Sequence, residues 1–141
     1  MRVSWNETDR ERWQVLDVSG AGRRGLAMAR HWAGDRLATL GETDRIDTLM
    51  VVGELLENAY VHAGGARELR LHQAHAPQES CEVTVAVADV GTGEPRLRVP
   101  DRGGGRGLLL VDRLCRTWGV SRHDDGKLVW GRIRCEEPGT A

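Results

Sequence analysis

Glu54 and Asn58 stand four residues apart in the stretch Val51-Val52-Gly53-Glu54-Leu55-Leu56-Glu57-Asn58-Ala59-Tyr60-Val61-His62. A helix turns about 100° per residue, so side chains four apart are neighbours on one surface. On that wheel Leu49, Val52, Leu56, Ala59, Tyr60 and Ala63 share one stripe, the face a helix buries. Glu54 and Asn58 lie nearly opposite, flanked by Val51, Leu55 and Val61. A carboxylate can take a proton as a general base. An amide oxygen can ligate Mg²⁺, which accepts a few hard oxygens from protein and the rest from phosphates and water. The bland reading is a pair that caps backbone or faces solvent, as most surface polar residues do.

Two glycine motifs downstream bear on the choice. Asp89-Val90-Gly91-Thr92-Gly93-Glu94-Pro95 directly follows an apolar run. Asp, Gly and Pro all favour turns, so a plain turn is one reading. The other is that Asp89 accepts a hydrogen bond from an exocyclic amine such as adenine's, while Gly91 and Gly93 let the backbone approach base and sugar where a Cβ would collide. Gly103-Gly104-Gly105-Arg106-Gly107 then leads into an apolar segment at Leu108. A glycine loop that ends at a helix N-terminus presents free N–H groups and the positive end of the dipole to an anion. Arg106 adds a guanidinium suited to phosphate. Other nucleotide motifs fit poorly. A P-loop ending at Gly126-Lys127 would need glycine at Ser121 and a hydroxyl residue at Leu128, and no Rossmann fingerprint opens the first strand-to-helix turn.

The elements that must position these residues follow from period and punctuation. Residues 13 to 18 read as a first strand closed by Ser19-Gly20. Gly22 to Leu40 carries Leu26, Ala29, Ala33 and Leu37 at helical spacing and stops at Gly41. Thr43 or Asp44 is placed to cap the second helix, which should end at Gly64-Gly65. Gly53 is unusual inside it, costs about 1 kcal/mol against alanine, and suggests close approach of another segment. The period then changes to two: Glu68 to His75 and Glu82 to Asp89 alternate as strands. A short helix over Leu108 to Leu114 precedes two strands, Thr117 to Arg122 and Lys127 to Arg134, joined by the hairpin signal Asp124-Asp125-Gly126. Helices early and alternating strands late predict an α/β two-layer sandwich, with helices on one face of a mixed, largely antiparallel sheet.

Composition limits the classes. At 141 residues the sequence predicts one domain with a core over about 11–135. A net charge of −1 argues against nucleic acid as the main ligand. Cys81, Cys115 and Cys135 are odd in number and widely spaced, so they read as reduced, buried side chains of a cytoplasmic protein rather than a disulfide framework. No basic leader or long apolar run is present, so neither secretion nor membrane spanning is expected.

Taken in order, Glu54 and Asn58, Asp89-x-Gly-x-Gly and Gly103-x-Gly-x-Gly form a set for magnesium, adenine and phosphates. Here the chain resembles the GHKL ATPase superfamily, whose nucleotide-binding domain is the Bergerat ATP-binding fold. Within it, the resemblance is strongest to bacterial anti-sigma-factor serine/threonine kinases. The residues that carry it are Glu54 to Ala63, Asp89 to Pro95, Gly104 to Val111, Trp118-Gly119-Val120 and Gly126 to Trp130. The resemblance implies that Asn58 binds the magnesium bridging the ATP phosphates and that Glu54 acts on the attacking nucleophile. It further implies that Asp89 reads the adenine amine and that Gly91 and Gly93 shape the base pocket. Gly103, Gly105, Arg106, Gly107 and Leu108 would belong to the lid and helix start over the phosphates. Leu128 stands where many relatives place a threonine or serine that helps hold the adenine.

The function implied is an ATP-Mg²⁺-dependent regulator that binds a sigma factor and phosphorylates a serine or threonine of a STAS-type antagonist protein, with homodimerisation expected by analogy. The alternative is a module without catalysis, with or without bound ATP, that acts by sequestering a partner. A detached catalytic domain of a sensor histidine kinase would need a phosphoacceptor histidine on a dimerisation helix, and His31 lacks that context.

Overall fold

The computed structural model describes residues 13–62, 64–74, 81–89, 107–123 and 126–135. Strand β1 spans Gln14–Asp17 and is followed by a 3₁₀ turn over Gly22–Arg24. Helices α1 (Gly25–Arg36) and α2 (Glu42–His62) come next, then strands β2 (Ala66–Ala74) and β3 (Glu82–Asp89), helix α3 (Gly107–Leu114), and strands β4 (Thr117–His123) and β5 (Gly126–Arg134). The strands form one sheet in the order β1-β2-β3-β5-β4, and every pairing among the described strands is antiparallel. The protein is therefore a two-layer α/β sandwich, and the described sheet lacks the parallel component that the sequence suggested.

Helix α2 is the centre of the helical layer, packed against α1, α3 and β3. Acidic Glu42 and Asp44 sit in its first turn, where they complement the dipole. The start lies earlier than Thr43 or Asp44: the Arg45 N–H donates to the Gly41 carbonyl at 2.9 Å, which places the cap at Gly41. Its end is as predicted. Gly64 and Gly65 have φ of 78° and 135°, and the Gly65 N–H returns to the Ala59 carbonyl, six residues back, at 3.0 Å, a closure that needs residues free of a Cβ penalty. The first helix is shorter than its period suggested, because residues 22–24 wind as 3₁₀ and Leu37 closes it through a bond to the Ala33 carbonyl.

Two arginine-on-glycine contacts join α1 to α2. Arg45 of α2 lies against Gly34 of α1, donating from Nε to the Gly34 carbonyl at 3.1 Å. Arg30 of α1 lies against Gly53 of α2, where a built Cβ would stand 2.9 Å from both Nε and Cζ of the guanidinium. The sequence oddity at Gly53 thus has its cause: a neighbouring side chain occupies the space a methyl would fill.

The core lies between the layers. Val51, Val52, Leu55, Leu56 and Ala59 of α2 meet Ala29 and Ala33 of α1, Leu69 and Leu71 of β2, Val83, Val85 and Val87 of β3, and Leu108 and Val111 of α3. Side chains of a strand alternate, so Thr84, Ala86 and Ala88 face away from the helices. There Ala86 and Ala88 form a smaller buried cluster with Leu128 and Trp130 of β5, against which Trp13 packs.

The cysteine expectation is corrected. Cys81, just before β3, and Cys135, just after β5, form a disulfide with Cα atoms 5.0 Å apart. The register that pairs Glu82 with Arg134 makes them the next partners along the ladder, and the Cys135 N–H donates to the Cys81 carbonyl at 2.9 Å. At a sequence separation of 54, only the pairing of two non-consecutive strands could bring them together. Cys115 is free and buried, as expected of all three.

Candidate functional site

The buried stripe of α2 fixes where its other residues go. With Val52, Leu56 and Ala59 held in the core, Glu54 is half-buried and Asn58 is only 9% exposed, so the pair does not decorate an open surface. The flanking Val51 and Leu55 are fully buried, because α2 has neighbours on several sides rather than one. An amide held in such a place needs polar partners or a ligand.

Burial raises the pKa of Glu54 above the ordinary glutamate value of 4.5; the positive charge of Arg30 pulls it down and the negative charge of Glu57 adds to the rise. A base with a raised pKa binds its proton more tightly near neutral pH, which suits proton abstraction. It also has a cost for folding. Because the folded-state pKa lies above the unfolded one, the folded protein binds more protons, and stability falls as pH rises from about 4.5 through the folded value. Glu54→Gln is therefore expected to be more stable than wild type at pH 7, with the difference fading below pH 4.5. Urea melts across pH 4 to 8 check this, and a pH-independent difference would contradict it.

Asp89 ends β3 with no exposed surface. It follows Val83, Val85 and Val87 in alternation, so it lies on the helix-facing side of the sheet. Across the ladder its partner is Lys127, whose Nζ lies 3.7 Å from Asp89 Oδ1; both side chains are buried. Lys127 is the chain's only lysine, and nothing in the sequence marks it as Asp89's partner. The expectation for Leu128 changes accordingly. Leu128 pairs with Ala88 and belongs to the cluster on the far face, while Lys127 shares Asp89's face. The hydroxyl expected at Leu128 would point away from Asp89, so its replacement by leucine removes nothing there.

Gly107 opens α3 and Leu108 is buried in the main core, which ties the start of α3 to the face of α2. Gly91, Gly93, Gly103, Gly105 and Arg106 lie outside the described residues. The chain between the end of β3 and the start of α3 carries them, so both glycine motifs lie in the connection from Asp89 to the N-terminus of α3. Arg30 is the neighbour of Glu54 that the sequence did not single out; the glycine at position 53 was its only trace.

A family model described as "Histidine kinase-like ATPase domain" matches residues 21–133. The chain belongs to that family. Membership implies ATP binding by this histidine kinase-like domain. A solved structure of the Acinetobacter baumannii histidine kinase AdeS is similar at 16% identity and a TM-score of 0.43, with 86% of this chain and 66% of that chain covered. The chain thus spans just under two thirds of the AdeS chain. No curated protein matches the sequence. Among the described residues, no helix is long and apolar enough to cross a membrane.

Proposed function

We propose that the protein is an ATP-Mg²⁺-dependent regulator of the anti-sigma-factor type, which transfers the γ-phosphoryl group of ATP to a serine or threonine of an antagonist protein and also binds a sigma factor. The observation that carries the reading is the pair Glu54 and Asn58, one turn apart on the central helix, with Asn58 buried and Glu54 half-buried. In this reaction the substrate hydroxyl oxygen bonds to the γ-phosphorus and the bond from phosphorus to the β,γ-bridging oxygen breaks. ADP leaves with that electron pair, and the hydroxyl proton passes to the Glu54 carboxylate. Positioning and charge neutralisation do most of the work in phosphoryl transfer.

The donor chemistry fits magnesium. Mg²⁺ takes one or two hard oxygens from protein and keeps waters and phosphate oxygens, and Asn58 offers an amide oxygen of that kind. Among the described residues no group of three or more His, Cys, Asp or Glu could hold a metal ion. Bound at Asn58, magnesium would neutralise phosphate charge. Asp89 would accept the adenine amine, and Gly91, Gly93, Gly103, Gly105, Arg106, Gly107 and Leu108 would line the base and phosphates.

Glu54→Ala is expected to cut transfer of radiolabelled γ-phosphate to the cognate antagonist by roughly 100-fold or more, as loss of a general base does, with ATP binding retained. Unchanged transfer would remove Glu54 from the chemistry. The antagonist and sigma factor are sought by pull-down with ATP or ADP. A second reading, a partner-sequestering module without catalysis, is favoured by one observation: Lys127 already neutralises the carboxylate that would read adenine. That module would keep its regulatory effect in Glu54→Ala.

A further inference from the structure

Among the described residues, five large apolar side chains are exposed: Val15, Met28, Ile46, Met50 and Val61. Three of the five stand on α2, and helical geometry gathers them on one stripe. At about 100° per residue, Ile46, Glu57, Met50, Val61 and Glu54 follow one another around an arc of about 80°. Ile46 is 51% exposed, Met50 39% and Val61 58%, and the main core is built without any of the three. From Ile46 to Val61 the stripe runs about 22 Å along the helix.

The charge that α2 places on this stripe has one sign. Glu54 and Glu57, both half-buried, lie within it, and Asp47 borders it beyond Glu54. The one arginine of α2, Arg45, is on the other side of the helix, against Gly34 of α1, and α2 has no lysine. Arg30 of α1 adds a positive charge only at the rim, over Gly53. Exposed apolar surface rimmed by charge marks a place of association. Two copies of the stripe would set carboxylates against carboxylates, and an anionic membrane would be repelled, so the occupant whose charge fits is a basic protein segment.

We propose that this stripe of α2 is the docking surface for the protein substrate, an amphipathic helical segment with apolar side chains on Ile46, Met50 and Val61 and basic ones towards Glu57 and Asp47. Seated there, the segment brings its serine or threonine to Glu54. The inference rests on the reading of Glu54 as the base. Met50 stands one turn before Glu54 and Val61 two turns after it, so apolar contact grips the substrate on both sides of the reacting hydroxyl and sets its orientation. The carboxylates fix register and turn away acidic segments.

The probes are two fluorescein-labelled amphipathic helical peptides with the same leucine pattern and one central serine. One carries lysine and arginine on its polar face, the other glutamate. Fluorescence anisotropy should show wild-type protein binding the basic peptide about tenfold more tightly than the acidic one or better. NMR chemical-shift changes should centre on Ile46, Met50, Glu57 and Val61. Ile46→Gln with Met50→Gln should weaken the basic peptide about tenfold and leave the melting temperature near wild type, since both side chains are exposed. Glu57→Lys should narrow the preference between the peptides. Absence of binding, equal affinity for the two peptides, a double variant that binds as wild type does, or shifts centred on another face overturns the proposal. So does a homodimer, or attachment to phosphatidylserine vesicles, that the double variant loses.

The two readings fail separately, because peptide binding is measured without ATP. With the cognate antagonist, the double variant should raise the KM for that protein about tenfold, with kcat and KM for ATP within about threefold of wild type. If Glu54→Ala is inactive while the double variant keeps the wild-type KM for the antagonist, the base stands and the docking surface falls. If wild-type protein transfers no phosphoryl group while the peptide results hold, the kinase reading falls and the stripe stands as a surface for a basic protein segment.

Discussion

Asp89→Asn is expected to lower folding stability by about 3–5 kcal/mol, the usual effect of breaking a buried ion pair from one side. The Lys127 ammonium lies on the helix-facing side of β5 with 1% of its side chain exposed, and the Asp89 carboxylate opposite is fully buried. At 3.7 Å the two are held by charge rather than by a short hydrogen bond. Asparagine keeps the shape and deletes the charge, so it takes from the buried Lys127 cation the carboxylate that faces it across the ladder. Lys127→Met in the same protein should restore most of the loss, since a buried pair replaced on both sides by neutral groups is close to neutral in stability. Urea denaturation of the single and double variants measures this. A loss below about 1 kcal/mol in Asp89→Asn would mean that other contacts, not Lys127, hold the carboxylate. The double variant serves a second purpose. It is the folded protein in which adenine recognition can be tested without Asp89's charge, and ATP affinity equal to wild type there would remove Asp89 from base reading.

This pair also shows where sequence reading stops. Period alone located α2, its two glycine stop signals and the alternating strands, because each is set by neighbours within a few residues. The choice between Lys127 and Leu128 was different in kind. A strand flips every side chain with a shift of one residue, so which of the two shares Asp89's face depends on the β3–β5 register, and that register is fixed by strands nearly 40 residues apart. Arg30 was hidden for the same reason. Gly53 announced that something comes close, but only the crossing of α1 and α2 names the side chain. The cap of α2 moved to Gly41 because backbone turn geometry, not the best capping side chain, decides where the first bond closes. Of the site itself, Glu54, Asn58 and Asp89 were legible as residue types at telling spacing, and their burial was not.

Reduction of the Cys81–Cys135 bridge should have an effect as large as the loss of Asp89's charge, but by another route. The bridge closes a loop of 54 residues that holds β3, α3, β4 and β5, and hence Asp89, Leu108 and Lys127. Loop-closure entropy in the unfolded chain makes such a bridge contribute about 4 kcal/mol. For a protein of this size that is a fall in melting temperature of roughly 10 °C or more. The site should be spared while the protein is folded. Glu82 pairs with Arg134 at the bridged end of the two strands and Asp89 with Lys127 at the other, seven residues on, a separation of about 24 Å. Cys115 does not compete for the bridge, because its thiol is buried and its pKa is pushed up to about 12, first by burial and then by Asp112, which keeps it from acting as a thiolate. The paired change Cys81→Ser with Cys135→Ser should therefore melt far below the oxidised wild type and bind ATP within about twofold of it at low temperature, since removal of the covalent tie acts chiefly on the unfolded chain. Dithiothreitol should lower the wild-type melting temperature towards that of the variant. A melting curve that reductant leaves in place would show that the register between β3 and β5 is held by its hydrogen bonds and side chains alone.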